Sequence, residues 1–258
     1  MTREVTADAR VAVRTRALTK EFRGFRAVDA VDLEIREGSV HALVGPNGAG
    51  KTTLFNMLTG FLAPTSGTIT VFDEDVTGRA PEQVARRGVA RSFQITSLFE
   101  TLTSREHVEL ALQGHSGQGF RFWRSEKLLG RNPARVEELL EQVGLTALAD
   151  KPAGLLAYGQ KRALELALVL ALDPPVMLLD EPTAGMGIED VDRTIDLVRR
   201  LAAGRTVVFV DHNMHVVGSL ADRVTVLQQG RILAEGGYDE VRNDDRVITA
   251  YLGEAEHA

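Results

Sequence analysis

Apolar and polar residues alternate through Val11, Val13, Thr15 and Ala17, and again through Val31, Leu33 and Ile35. A two-residue period marks a strand with one wet face, so both segments predict half-exposed, antiparallel strands. Val40 to Val44 is apolar throughout, the pattern of a short buried strand, and runs into a glycine-rich stretch. Thr52 to Leu58 predicts the helix beyond that stretch. Thr68 to Phe72 predicts another strand, ended by the acidic turn Asp73-Glu74-Asp75.

The texture changes between Gln94 and Pro174. Ser104 to Leu112 and Arg135 to Val143 have helical spacing, the second opened by Asn132 as cap with Pro133 in the first turn. Gly114 to Gly130, with Phe120, Phe122 and Trp123, predicts a variable loop or short helix. Strand and helix then alternate: Val176 to Leu179, a helix through Val191 to Leu201, Val207 to Val210, a helix at His215 to Leu220, and Val224 to Leu227. Short buried strands alternating with helices predict a mainly parallel sheet covered on both faces. Gly253 to Ala258 predicts a loose tail.

Composition narrows the class. The 258 residues suffice for one large or two small domains. With 30 basic and 36 acidic residues the net charge is -6, which argues against a chain that coats nucleic acid. The absence of cysteine excludes disulfides, thiolate metal sites and cysteine nucleophiles. Met1 to Val13 lacks the apolar centre of a signal peptide. Leu155 to Leu179 is the most apolar region, but charged residues and Pro174-Pro175 interrupt it before it reaches the roughly 18 residues of a membrane helix.

The chemistry concentrates in three places. Gly45-Pro46-Asn47-Gly48-Ala49-Gly50-Lys51-Thr52, followed by Thr53, fits G-x-x-x-x-G-K-[ST] between an apolar strand and a helix. Its glycines let backbone N–H groups turn toward phosphate oxygens, and the following helix adds the positive end of its dipole. Lys51 can reach the terminal phosphates of a nucleotide, and the Thr52 hydroxyl can complete the coordination of Mg²⁺. Secondly, Val176 to Leu179 ends in Asp180-Glu181. Asp180 is suited to hold Mg²⁺ through water, and Glu181 to take a proton from water attacking a γ-phosphate. Thirdly, Val207 to Val210 ends in Asp211-His212. The spacing of His212 and His215 without a third ligand argues against a metal pair, leaving His212 as a γ-phosphate contact that orients the attacking water.

These three features in this order, interrupted by a helical segment, resemble the ATP-binding subunit of ABC transporters. Ser92-Phe93-Gln94 lies where that family has its Q-loop, so the resemblance implies that Gln94 touches ATP and Mg²⁺ and faces a membrane subunit. Leu156-Ala157-Tyr158-Gly159-Gln160 lies where the family has its LSGGQ signature. Phe22 resembles the aromatic that stacks on adenine. Together with Ala250-Tyr251-Leu252-Gly253-Glu254, the signature is similar to that of the branched-chain amino-acid (LivG-type) importer branch, whose relatives also serve other small polar solutes.

The resemblance implies an α/β P-loop ATPase fold: a mainly parallel core, an N-terminal antiparallel β subdomain and an inserted helical subdomain. Residues 1–93 and 174–258 would form the core and 94–173 the helical part of one domain spanning 1–258. ATP and Mg²⁺ are the implied ligands. The implied partners are membrane subunits, a second ATPase subunit (this chain or a paralogue) in a head-to-tail dimer and, indirectly, a solute-binding protein, all at the cytoplasmic face of the cell membrane. In that dimer Ala157, Tyr158, Gly159 and Gln160 act on the partner's ATP; the helix N-terminus after Gln160 is a second anion-seeking element in a chain that already has one. Three positions depart from the family. Ala157 replaces the signature serine, Tyr158 replaces a glycine and should add bulk near the nucleotide, and Gly187 stands where many relatives carry Asp. A soluble ATPase acting on ribosomes or DNA, and a lipid exporter, are the alternatives.

Overall fold

A computed structural model of the chain describes residues 9–92, 98–115 and 133–255. In chain order, β1 (Val11–Phe22), β2 (Phe25–Arg36), β3 (Val40–Val44), α1 (Lys51–Leu58), β4 (Ser66–Val71), β5 (Glu74–Asp75), α2 (Pro81–Ala85) and β6 (Val89–Arg91) come first. The helices α3 (Ser104–His115), α4 (Pro133–Gln142) and α5 (Tyr158–Leu170) follow. Then come β7 (Val176–Asp180), α6 (Ile188–Leu201), β8 (Thr206–Val210), α7 (Met214–Leu220), β9 (Arg223–Gln228), β10 (Arg231–Gly236), α8 (Tyr238–Arg242) and α9 (Asp245–Ala255). Among the described residues, no helix is long and apolar enough to cross a membrane.

The alternating N-terminal segments pair as an antiparallel hairpin, Thr15 opposite Leu33 and Phe22 opposite Phe25. Arg23 and Gly24 turn it with φ of 48° and 89°, the positive pair that matches strand twist in a two-residue turn. This hairpin belongs to a four-stranded sheet ordered β2-β1-β4-β5. The acidic stretch read as a turn contributes a strand of its own, since Glu74 and Asp75 pair with Val71 and Thr70.

The second sheet has six strands in the order β10-β9-β3-β8-β7-β6. Its strands from β9 to β6 run parallel, and only β10 is antiparallel. Each of β3, β7 and β8 is buried at all five positions, which is why they read as continuous apolar runs. Alternate residues feed two cores. Met177, Leu179, Val207 and Phe209 pack with α5, α6 and α7 and with Leu139 and Leu140 of α4. Val176, Leu178, Val208 and Val210 pack with Leu54, Phe55 and Leu58 of α1 and with Val13, Leu33 and Ile69 of the other sheet.

The predicted loose tail at Gly253 to Ala258 is corrected in part: α9 continues through Ala255. Burial of Val247 and Ala250, with Tyr251 packed beside them, anchors that helix to the core. The expected cap Asn132, the aromatics Phe120, Phe122 and Trp123, and Gln94 lie outside the described residues.

Candidate functional site

Register brings the predicted residues together. Leu43 of β3 and Asp180 of β7 both pair with Val210 of β8, so the three stand in one row across the sheet. Because the strands are parallel, the next residues of each emerge at the same edge. These are the glycine-rich loop after Val44, Glu181 after Asp180, and Asp211-His212 after Val210. An edge where parallel strands end is where such sheets bind ligands.

The loop is shaped by close backbone approach. A Cβ on Gly45 (φ 149°) would overlap the Leu227 carbonyl oxygen, and one on Gly50 (φ 100°) the Ala27 carbonyl oxygen. Only glycine satisfies both the angle and the space. The space beside Gly48 is open, with nothing within 4 Å of the position a Cβ would take. Ala49 is buried and donates to the Pro46 carbonyl at 3.2 Å, closing the turn. Gly50 leads into α1, whose N-terminus has no side-chain cap. Lys51 folds back over the loop, its Nζ 2.6 Å from the Gly45 oxygen and 2.8 Å from that of Pro46. Thr52 is exposed and Thr53 half-buried. Open backbone, a cation and a hydroxyl at a helix N-terminus fit a nucleotide's phosphates.

Asp180 is buried, and Glu181 follows with φ 45°, an unfavourable angle for a residue with a side chain. That backbone is held by Glu181 N donating to the Val210 oxygen at 2.8 Å. Next door, buried Asp211 accepts from Thr183 Oγ1 at 2.7 Å and from Asn213 N at 2.9 Å, bracing one strand end against the other. His212 projects from this brace, its side chain 72% exposed. His215 is not its companion; its Nε2 lies 3.1 Å from Asp192 Oδ1. Thr52 and Asp180 supply hard oxygen donors of the kind Mg²⁺ takes.

Two residues at this edge carry no sequence signal. Thr183 is one. The other is Arg91, at the end of β6, whose guanidinium bonds to Asp180 and to Asn56 of α1. Behind the loop, burial and the charge of Arg223 push the His41 pKa from 6.5 to about 3.

Tyr158, Gly159 and Gln160 form the first turn of α5, with Ala157 at its N-cap, rather than preceding the helix. With alanine at the cap, no hydroxyl closes this N-terminus. The Gln160 side chain instead accepts from Ala157 N at 3.0 Å. Tyr158 turns its hydroxyl onto its own chain, donating to the Ala184 carbonyl at 2.8 Å. Its ring lies beside Gly185 and 5.7 Å from the Arg162 guanidinium. The expected bulk near a nucleotide is thus partly taken up within the subunit. Arg162 is 2.8 Å from Glu165, whose carboxyl burial pushes above its ordinary range and the arginine pulls back. Phe22, at the tip of the first hairpin, is 45% exposed with Lys20 Nζ 5.2 Å from its ring centroid. Gly187 caps α6 with ordinary extended angles.

Residues 28–184 match the ABC transporter family model. The chain belongs to this family and is an ATPase, with the glycine-rich loop, the carboxylates and the histidine on one edge of its sheet. Its C-terminal residues 231–257 match a second model, the branched-chain amino acid ATP-binding cassette transporter. The chain is 40% identical over 248 residues to the high-affinity branched-chain amino acid transport ATP-binding protein BraF of Pseudomonas aeruginosa, covering 92% of this chain and 96% of that one. It is 39% identical over 250 residues to LivG, of the same description, from Escherichia coli, with coverage of 92% and 96%. Among solved structures, the ADP conformation of an ATP-binding cassette of an ABC transporter superposes with a TM-score of 0.83 at 30% identity, covering 94% of this chain and 99% of that one.

Proposed function

We propose that this chain hydrolyses ATP to drive import of branched-chain amino acids or a related small polar solute. The observation that carries the reading is the row Leu43, Val210 and Asp180, which delivers the phosphate loop, His212 and Glu181 to one edge. Backbone N–H groups of the loop from Asn47 to Lys51 cradle the β- and γ-phosphates. Lys51 exchanges two neutral carbonyls for charged phosphate oxygens, a stronger partner for an ammonium. Thr52, Gln94 and Asp180 would hold Mg²⁺, which supplies Lewis-acid polarisation when bound. Glu181 accepts the proton of the attacking water as the bond from phosphorus to the ADP oxygen breaks, and His212 touches the γ-phosphate and orients that water. Phe22 stacks on the adenine.

Residues 1–93 and 174–258 act as the nucleotide-binding core and 94–173 as the helical subdomain. Two ATPase subunits, identical or paralogous, pair head to tail. The N-terminus of α5, Ala157 to Gln160, then faces the partner's ATP. A relative solved as a dimer bound to ADP and Pi, 26% identical with a TM-score of 0.72, supports such an assembly. Membrane subunits dock near Gln94 and the Ser97 to Glu106 segment at the cytoplasmic face, and a solute-binding protein meets those subunits rather than this chain. The solute assignment rests on the similarity to BraF and LivG and on the match at residues 231–257. Glu181→Gln tests the chemistry: it should bind ATP, lose turnover by at least about 100-fold and trap a dimer. Brisk hydrolysis by that variant would overturn the assigned base. Absence of ATP-dependent uptake with lipid-embedded membrane subunits would overturn the import reading.

A further inference from the structure

Arg91 makes a contact that nucleotide hydrolysis by itself does not call for. Its Nη2 lies 2.5 Å from Asp180 Oδ2, with the two side chains 11% and 4% exposed. Nη1 donates to Asn56 Oδ1 at 2.5 Å, and the guanidinium is 5.7 Å from the Phe55 ring centroid. Arginine therefore joins the helix behind the phosphate loop to the carboxylate at the end of β7. Ser92 fixes the neighbouring backbone: its N–H donates to the Leu178 oxygen at 2.9 Å, and its Oγ accepts from Asp180 N at 3.3 Å. Among the described residues the guanidinium is not fully satisfied, because its buried Nε has no hydrogen-bond partner there.

A carboxylate this deeply buried needs a counter-charge. The charge that meets Asp180 is that of Arg91. A divalent cation approaching the same carboxylate meets a cation already in place, and like charges around one desolvated group repel. We propose that Arg91 is a positioning residue that holds Asp180 until Mg²⁺ and nucleotide take over, so that guanidinium and metal compete for this carboxylate. The inference rests on Asp180 being the metal-holding carboxylate of the site. The two cations exchange partners as the site loads: Asp180 passes to the metal, and Arg91 keeps Asn56. The incomplete satisfaction of Nε makes the Arg91–Asp180 pairing the easier one to give up.

The test compares ADP affinity in Mg²⁺ with ADP affinity in EDTA, and reads the ratio rather than turnover. In Arg91→Met the gain from Mg²⁺ should rise by about tenfold over the parent, because the metal-competent arrangement is no longer a minority. Arg91→Lys, which keeps a cation, should stay near the parent ratio. A purely structural role would move both affinities together and leave the ratio fixed; that result, or a fall in the ratio, overturns the inference. Arg91→Gln keeps a hydrogen-bond donor for Asp180 and Asn56 without the charge, and makes the same measurement if the methionine variant does not fold. Asp180→Asn separates the two layers of reasoning. If it leaves the Mg²⁺ gain intact, the metal role of Asp180 fails and this inference with it. If it abolishes the gain while the Met and Gln variants keep the parent ratio, only the role of Arg91 fails.

Discussion

Acid should weaken the core immediately behind the phosphate loop. His41 lies buried in β3, its Nε2 2.8 Å from Thr225 Oγ1, and its pKa falls from 6.5 to about 3. Burial is the larger cause and the Arg223 charge the smaller. A lowered imidazole pKa means that the unfolded chain takes a proton which the folded chain refuses. The stabilising effect is therefore complete above pH 6.5 and is lost as pH falls from there toward about 3, where the folded chain is protonated as well. Between pH 8 and pH 5 the linkage relation gives a loss of about 2 kcal/mol from this one side chain. The folded value lies so far below 5 that the unfolded value alone sets this figure. Urea unfolding followed by circular dichroism at both pH values, on the parent and on His41→Gln, measures it. The chain has six histidines and many carboxylates, but the five other histidines and the carboxylates are common to both proteins, so the difference between the two losses isolates His41. The parent should lose about 2 kcal/mol more than the variant. Equal losses would refute the claim that His41 is held neutral.

Lys51→Ala should weaken Mg-ATP binding about 100-fold by calorimetry, since a charge-assisted contact to phosphate is worth up to about 3 kcal/mol; binding and turnover equal to the parent would sink the phosphate-loop reading. Gly50→Ala should cost about 3 kcal/mol in urea unfolding, because its Cβ meets the Ala27 carbonyl at a positive φ; a loss below about 0.5 kcal/mol would mean that the loop relaxes freely. Asp211→Ala strands the buried Thr183 hydroxyl and should cost about 2 kcal/mol. It should also lower turnover by loosening the Glu181 and His212 strand ends, and an unchanged kcat would show that the brace has no part in catalysis.

Much of the site was legible because its chemistry is local. Gly45 to Thr53 is one continuous segment whose angles and close contacts demand glycine where the sequence has it. Asp180, Glu181 and His212 each follow an apolar run that could only be a buried strand. What escaped depends on distant pairing. Arg91 ends a three-residue strand with no periodicity of its own, and nothing in Val89-Ala90-Arg91 points to Asp180. The bridge between Thr183 and Asp211 joins residues that meet only because β7 and β8 are neighbours. β10 lacks clean alternation because three of its six positions are half-exposed and two exposed. The end of α9 read as a tail because glycine and acidic residues dominate there, whereas tertiary packing of Val247 and Ala250 decides the outcome. Tyr158 was legible as bulk but not in direction, since its hydrogen-bond acceptor lies 26 residues away.

The walls of the glycine-rich loop come from segments far apart in sequence, near Asp29 and near Gly230. Gly230 N donates to the Ala49 oxygen at 3.0 Å, and Asp29 N donates to the Gly230 oxygen at 2.8 Å, while the Leu227 carbonyl presses on Gly45. A chain made from its N-terminus thus carries the loop long before it carries the turn that braces it. The loop gains these contacts only once Leu227 and Gly230 have been made. A polypeptide truncated before Leu227 would carry every residue of the glycine-rich loop and lack the Leu227 and Gly230 contacts that hold it in shape.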